Sequence, residues 1–124
     1  MVAEQAISSR RIGLLVDDDV LYLRTLQRSL EKRGFRIVIA ESLSAAMAAA
    51  QQHRPDFTLL DLRIGAESGL GLIGPLKALR ADMRVLLVTG YATAGTAEEA
   101  CKRGADDYLA KPLSIEALIR AIEE

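Results

Sequence analysis

Two hydrophobic periods alternate along this chain, and that alternation limits its fold more than any other feature. Short apolar runs rich in β-branched residues stand at Ile12 to Val16, Ile37 to Ala40, Phe57 to Leu60, Val85 to Val88 and Tyr108 to Ala110. Each reads as a strand, five in all. Between them lie stretches with helical spacing, marked by Leu23, Leu26 and Leu30, by Ala46, Met47 and Ala50, and by Leu72, Leu76 and Leu79. After the last run, Ile115, Leu118, Ile119 and Ile122 fall at i, i+3, i+4 and i+7, with Ser114 placed to cap the helix they form. The chain therefore reads as (βα)5. Because the strand runs lack strict polar alternation, they suit a parallel sheet buried on both faces by helices.

Punctuation residues support these boundaries. Gly34 and Gly104 follow the basic pairs Lys32–Arg33 and Lys102–Arg103, as left-handed C-caps beside a negative dipole end prefer. Pro55 closes the second helix. Gly71, Gly74 and Pro75 interrupt the third, and Pro75 removes a backbone donor, so a kink or break is expected there. No repeat, low-complexity segment or interdomain linker is visible, and the division is a short N-terminal extension over residues 1–11 and one domain over 12–124.

Charge and cysteine content narrow the function classes. Sixteen Lys and Arg against seventeen Asp and Glu leave a net charge of -1, which argues against direct nucleic-acid or membrane binding. The single Cys101 rules out an intramolecular disulfide framework and a cysteine-based zinc site, and fits a reducing compartment, the cytoplasm by default. No apolar run reaches the roughly 18 residues that span a bilayer. The opening residues carry Glu4 and polar groups where a signal peptide needs an apolar core.

The chemistry-bearing residues gather at strand ends. In an open α/β sheet ligands bind beyond the carboxyl ends of the strands, near a topological switch point. Asp17, Asp18 and Asp19 follow the first strand, Asp61 ends the third, Thr89 follows the fourth and Lys111 the fifth. One helix needs one cap, and Asp19 suits that role, which leaves Asp17 and Asp18 in excess. Asp61 ends an apolar run, where an acid is costly unless satisfied. Several carboxylates brought together need a cation, and an all-oxygen set favours a hard one, Mg²⁺ foremost. Lys111 precedes Pro112, and a cis bond there turns its side chain back toward the acids.

These residues resemble the receiver domain of two-component response regulators. The resemblance rests on Leu-Leu-Val-Asp-Asp-Asp at 14 to 19, Leu-Leu-Asp-Leu-Arg at 59 to 63 with Gly69 eight beyond the Asp, Leu-Val-Thr-Gly-Tyr at 87 to 91, and Gly-Ala-Asp-Asp-Tyr-Leu-Ala-Lys-Pro at 104 to 112. It covers roughly residues 12 to 124. It implies the flavodoxin-like (CheY-like) three-layer fold with a parallel sheet in the order 2-1-3-4-5. Thr96 and Ala97, with the Asp-Leu-Arg and Thr-Gly-Tyr segments, also resemble receivers of the redox-responsive RegA/PrrA/ActR type, which carry a Fis-like DNA-binding domain.

The resemblance implies a phosphoacceptor at Asp61, Mg²⁺ ligands at Asp17, Asp18, Asp61 and the backbone carbonyl of Arg63, and a phosphate-clamping Lys111. Thr89 would bond the acyl phosphate, and Tyr108 would turn inward when Thr89 moves. The implied partner is a sensor histidine kinase, and the implied output is control of a DNA-binding effector domain. Two positions depart from the common pattern. Arg63 stands where Asn is frequent and bears on the dephosphorylation rate; Gly65 stands where Pro is frequent and is expected to loosen its loop.

Rival readings stay in view. A stand-alone receiver acting by protein–protein contact needs the same residues, with at most weak autophosphatase activity. An aspartyl-phosphate hydrolase would use Asp17 and Asp19 as an Asp-x-Asp pair. His53 reads as a solvated partner of a helix end, and Cys101 as a small packing residue. A homodimer is expected through the fourth helix, fifth strand and fifth helix, with Glu98, Glu99, Lys102, Arg103, Asp106, Asp107, Glu116 and Arg120 pairing across a two-fold axis.

Overall fold

The structure is a computed structural model that describes residues 11–90 and 93–123. The expected extension over residues 1–11 lies outside the described residues apart from Arg11, as does Tyr91 of the fourth-strand motif. Strands β1 (Ile12–Val16), β2 (Arg36–Ala40), β3 (Phe57–Leu60), β6 (Arg84–Thr89) and β7 (Asp107–Ala110) form one parallel sheet in the order β2-β1-β3-β6-β7. That is the flavodoxin-like order read from the sequence. Helices α1 (Val20–Glu31), α2 (Leu43–His53), α3 (Leu70–Leu79), α4 (Ala94–Lys102) and α5 (Ile115–Glu123) complete the three layers.

Alternate side chains of each strand feed opposite faces of the sheet. Leu14, Val16, Leu60, Val85 and Leu87 meet Ala46 and Ala50 of α2, Leu72, Ile73 and Leu76 of α3, and Ala100 of α4. Leu15, Leu59, Leu86 and Val88 meet Leu23 and Leu30 of α1 and Leu118, Ala121 and Ile122 of α5. Phe57 is fully buried against Gly13, where an added Cβ would lie 2.2 Å from the ring, so β1 passes the aromatic only as glycine. Each fully buried aliphatic contributes about 1.5–3 kcal/mol. This double core lets one edge of the sheet hold groups that do not stabilise it.

The caps match the residues that suggested them. The Asp19 carboxylate accepts the Tyr22 amide at 3.1 Å and Ser114 Oγ accepts the Ala117 amide at 3.1 Å. Gly34 and Gly104 adopt φ of +94° and +104°. Two expectations are corrected. Of the kink or break expected at Pro75, the break is not found: helix α3 is continuous over Leu70–Leu79 with Pro75 inside it. Its i−4 neighbour is Gly71, and the helix is anchored by buried Leu72, Ile73 and Leu76, so packing outweighs the lost backbone bond. The segment after β3 also holds two short strands, β4 (Arg63–Ile64) and β5 (Glu67–Ser68), paired antiparallel as a hairpin.

Candidate functional site

Strand register brings the acids together. β1 and β3 are neighbours paired Val16 to Leu60, and the chain crosses from one side of β1 to the other between β2 and β3. Asp17 and Asp61 each lie one residue past that pair, side by side at the topological switch point. Backbone bonds continue the ladder to them, from Asp17 N to Ala40 O at 3.2 Å and from Asp61 N to Val16 O at 3.0 Å. Thr89 ends β6 and is fully buried; Lys111 follows Ala110, the partner of Thr89. The Lys111–Pro112 peptide is cis.

The side chains converge. Carboxylate oxygens of Asp17, Asp18 and Asp61 lie within 4.8 Å of one another. Lys111 Nζ donates to Asp17 Oδ2 at 2.7 Å and to Asp61 Oδ2 at 3.2 Å. Asp17 and Asp61 are buried, whereas Asp18 is exposed. Burial pushes the Asp17 carboxyl above its ordinary value; the Lys111 hydrogen bond and the Asp19 amide oppose this, and the negative charge of Asp61 adds to it. For Lys111, burial works against the charge, but Asp17 and then Asp61 outweigh it and hold the ammonium above its ordinary pKa. One lysine thus serves two of the three acids. The cluster is short of positive charge, and its all-oxygen donors fit a hard divalent cation.

The loop after Asp61 returns to it. Gly69 N donates to Leu62 O at 2.7 Å, and a Cβ on Gly69 would lie 2.0 Å from the Asp61 carbonyl oxygen, so only glycine closes the loop against the acid. Within the loop, the Arg63 amide faces Asp61 Oδ1 at 3.4 Å and the Gly65 amide donates to Asp18 Oδ2 at 2.9 Å. Gly65 therefore does not simply loosen its loop. It takes φ +62° as the first residue of the two-residue turn between β4 and β5, a backbone direction that glycine adopts freely.

Several other residues enter the account. Asp19 is engaged as the α1 cap, so an Asp17–Asp19 pair of the hydrolase kind is not assembled. His53 lies in the last turn of α2, as read from the sequence, but is half-buried and not fully solvated. Cys101 corrects the reading of a packing residue: it is exposed, and its neighbour Ala100 takes the buried position on α4. Sequence reasoning missed Tyr22, whose ring lies 4.3 Å from Lys111 Nζ, because its spacing resembles that of the adjacent apolar residues of α1. It also missed the capping box of Thr93 and Thr96, which the Tyr108 hydroxyl joins by bonding Thr96 Oγ1 and accepting from Thr93 N at 3.4 Å. The x-Thr-x-x-Thr pattern before α4 was the available signal.

Residues 14–123 match the family model described as the response regulator receiver domain. The acid tolerance regulatory protein ActR of Sinorhizobium medicae is 43% identical over 109 residues, covering 88% of this chain and 56% of that protein. The photosynthetic apparatus regulatory protein RegA of Rhodobacter capsulatus is 40% identical over 116 residues, covering 94% and 63%. The chain thus spans little more than half the length of these curated relatives. A response regulator protein from Burkholderia pseudomallei, solved with a phosphorylated aspartic acid, calcium ion and citrate, superposes with a TM-score of 0.88 at 41% identity, covering 90% of this chain and 66% of that one. With its β2-β1-β3-β6-β7 sheet and its strand-end acids, this chain belongs to the response regulator receiver domain family, among relatives of the ActR and RegA type.

Proposed function

We propose that Asp61 accepts a phosphoryl group from the phosphohistidine of a sensor histidine kinase, or from a small acyl-phosphate donor, in an Mg²⁺-dependent reaction. The observation that carries this reading is the convergence of three acid oxygens within 4.8 Å, with Lys111 Nζ at 2.7 and 3.2 Å from two of the acids. Asp17, Asp18, Asp61 and the Arg63 backbone carbonyl would hold the cation. In a two-residue hairpin the residues flanking the turn form the hydrogen-bonded pair, so Arg63 keeps its N–H and C=O on the outer edge, from which its amide faces Asp61. When bound, the cation supplies charge neutralisation and alignment for an in-line displacement. Asp61 contributes the attacking carboxylate oxygen and forms the new phosphorus–oxygen bond, while the donor's bond to phosphorus breaks, phosphorus–nitrogen with the imidazole leaving for phosphohistidine or phosphorus–oxygen with the carboxylate leaving for an acyl phosphate. Lys111 offsets charge on the transferred group. Hydrolysis of the product is weak.

Phosphorylation adds charge and acceptor oxygens at Asp61. Thr89 moves toward them, and Tyr108 leaves its bonds to Thr93 and Thr96 for the space that opens, which alters the α4–β7–α5 face. That face is the proposed output surface and the homodimer contact. Its charges are less available than their number suggests, since Glu98–Lys102 and Glu99–Arg103 pair along α4 and Asp106 is held by Lys77. The downstream reading is a cytoplasmic regulator that acts through a DNA-binding effector domain, in keeping with relatives named as regulatory proteins. Acetyl phosphate with Mg²⁺ should add one acid-stable, base-labile phosphoryl group to the peptide carrying Asp61. A modified peptide without Asp61 overturns the assignment.

A further inference from the structure

Asp18 differs from the other two acids. It is exposed, Lys111 does not reach it, and the one hydrogen bond its carboxylate makes among the described residues comes from the Gly65 amide. That bond spans 47 positions of sequence at 2.9 Å. An exposed carboxylate on a loop samples several rotamers, and fixing it costs side-chain entropy that a cation must otherwise offset on binding.

The donor is built for the task. Gly65 sits at φ +62°, a backbone conformation that disfavours other residues, and nothing lies within 4 Å of where its Cβ would be. The glycine is therefore favoured by the backbone direction and not by crowding. The hairpin is rooted by Ile64, which is 3% exposed, and by the Gly69–Leu62 bond. Arg63 on β4 and Gly65 at the start of the turn both direct their amides to the acid cluster, one facing Asp61 and the other Asp18.

We infer that the Gly65 amide is a positioning group for divalent-cation capture: held on the β4–β5 turn, it fixes the Asp18 carboxylate within the acid cluster. The inference rests on the phosphoacceptor reading above, in which Asp18 is a metal ligand. Linkage then makes the effect reciprocal. What the turn contributes to cation affinity, the cation returns as order in the turn, and two-residue strands are too short to be stable by themselves.

Titration calorimetry of the whole chain with Mg²⁺ tests this on wild type, Gly65→Pro and Gly65→Asn. Gly65→Pro has no amide hydrogen and cannot adopt positive φ, so its Mg²⁺ affinity should fall about tenfold, the scale for loss of an outer-shell partner. Gly65→Asn keeps the amide and tolerates the left-handed region, so it should stay within about twofold of wild type. In acetyl phosphate assays the Mg²⁺ concentration for half-maximal rate should rise for Gly65→Pro by the same factor, while the rate at saturating Mg²⁺ stays near wild type. Exchange of the Gly65 amide hydrogen, followed by NMR in wild type, should slow on saturation with Mg²⁺ and speed up in metal-free Asp18→Ala. The last readout does not depend on how Gly65→Pro folds. Equal affinities for wild type and Gly65→Pro, or Gly65 exchange indifferent to both Mg²⁺ and Asp18→Ala, overturns the positioning role while leaving the acceptor reading intact. A wild-type chain that binds no Mg²⁺ overturns both.

Discussion

The two edges of the central sheet solve opposite problems with similar residues. At the amino edge the acids are matched. Asp56 accepts the Ile12 amide at 2.7 Å and pairs with Arg80 at 2.9 Å; Asp106 accepts the Val85 amide at 2.8 Å and Lys77 Nζ at 2.6 Å. Arg84 and Arg11 satisfy the Ala121 and Ile122 carbonyls at the end of α5. For Asp106, burial works against the charge, but Lys77 and the Val85 amide outweigh it and hold the carboxyl below its ordinary value. At the carboxyl edge a cluster of three acids has one lysine, which pairs with Asp17 and Asp61, and burial holds Asp17 above its ordinary value. One edge fastens the fold, and the other keeps an unmet demand for positive charge that a hard divalent cation would answer.

The comparison breaks if variants at the two edges have interchangeable effects. The largest expected difference is in chemistry: Asp61→Asn should lose phosphoryl uptake entirely, whereas Asp106→Ala should take up phosphate as wild type does, read by intact mass after acetyl phosphate treatment. Next is metal affinity. Asp18→Ala removes a proposed direct ligand and should weaken Mg²⁺ binding by more than the roughly 10–100-fold of an outer-shell loss. Asp19→Ala should leave binding within about twofold while costing about 1 kcal/mol of helix capping. Calorimetry and denaturant unfolding separate the two.

At the amino edge the currency is stability. Asp106→Ala leaves the Val85 amide and Lys77 without their carboxylate, which should cost about 1–3 kcal/mol in urea unfolding. The smallest effect concerns pH. Because the folded-state pKa of Asp106 is depressed, its contribution is present above the unfolded value of 3.8 and is lost as pH falls through the folded one. Asp17 has the opposite sign: its folded-state pKa is raised, so stability declines as pH rises from 3.8 through the folded value. Asp106→Asn should therefore lose less stability than wild type between about pH 6 and about pH 3, measured by urea midpoints. An equal loss in both proteins removes Asp106 from the account.

Most of this plan is legible in the sequence, because the parts that dominate it are periodic or punctuated. The runs at Leu14 to Val16 and Val85 to Val88 are hydrophobic enough to fix strands by themselves, and Asp19, Ser114, Gly34 and Gly104 carry local signals for helix ends. The strand-end positions of Asp17, Asp61 and Lys111 follow from the strands alone. What sequence hid was long-range or backbone in nature. The Gly65–Asp18 bond joins residues 47 apart, the Lys111–Tyr22 contact joins two elements, and β4–β5 has only two residues per strand, too few to show a period. Pro75 suggested a break that is absent because its local cost is real but smaller than the packing of Leu72, Ile73 and Leu76 around it.

The division between the edges is tested most directly by urea unfolding of Asp61→Asn beside wild type, without divalent cation. Removing one negative charge from a cluster in which Lys111 already serves Asp17 at 2.7 Å should relieve repulsion. The account predicts an unfolding free energy equal to or above that of wild type with an unchanged denaturant slope, in the same variant that no longer takes up phosphate. A loss of more than about 1 kcal/mol, the centre of the range for ordinary destabilising substitutions, would mean that Asp61 fastens the fold as Asp106 does, and would contradict it.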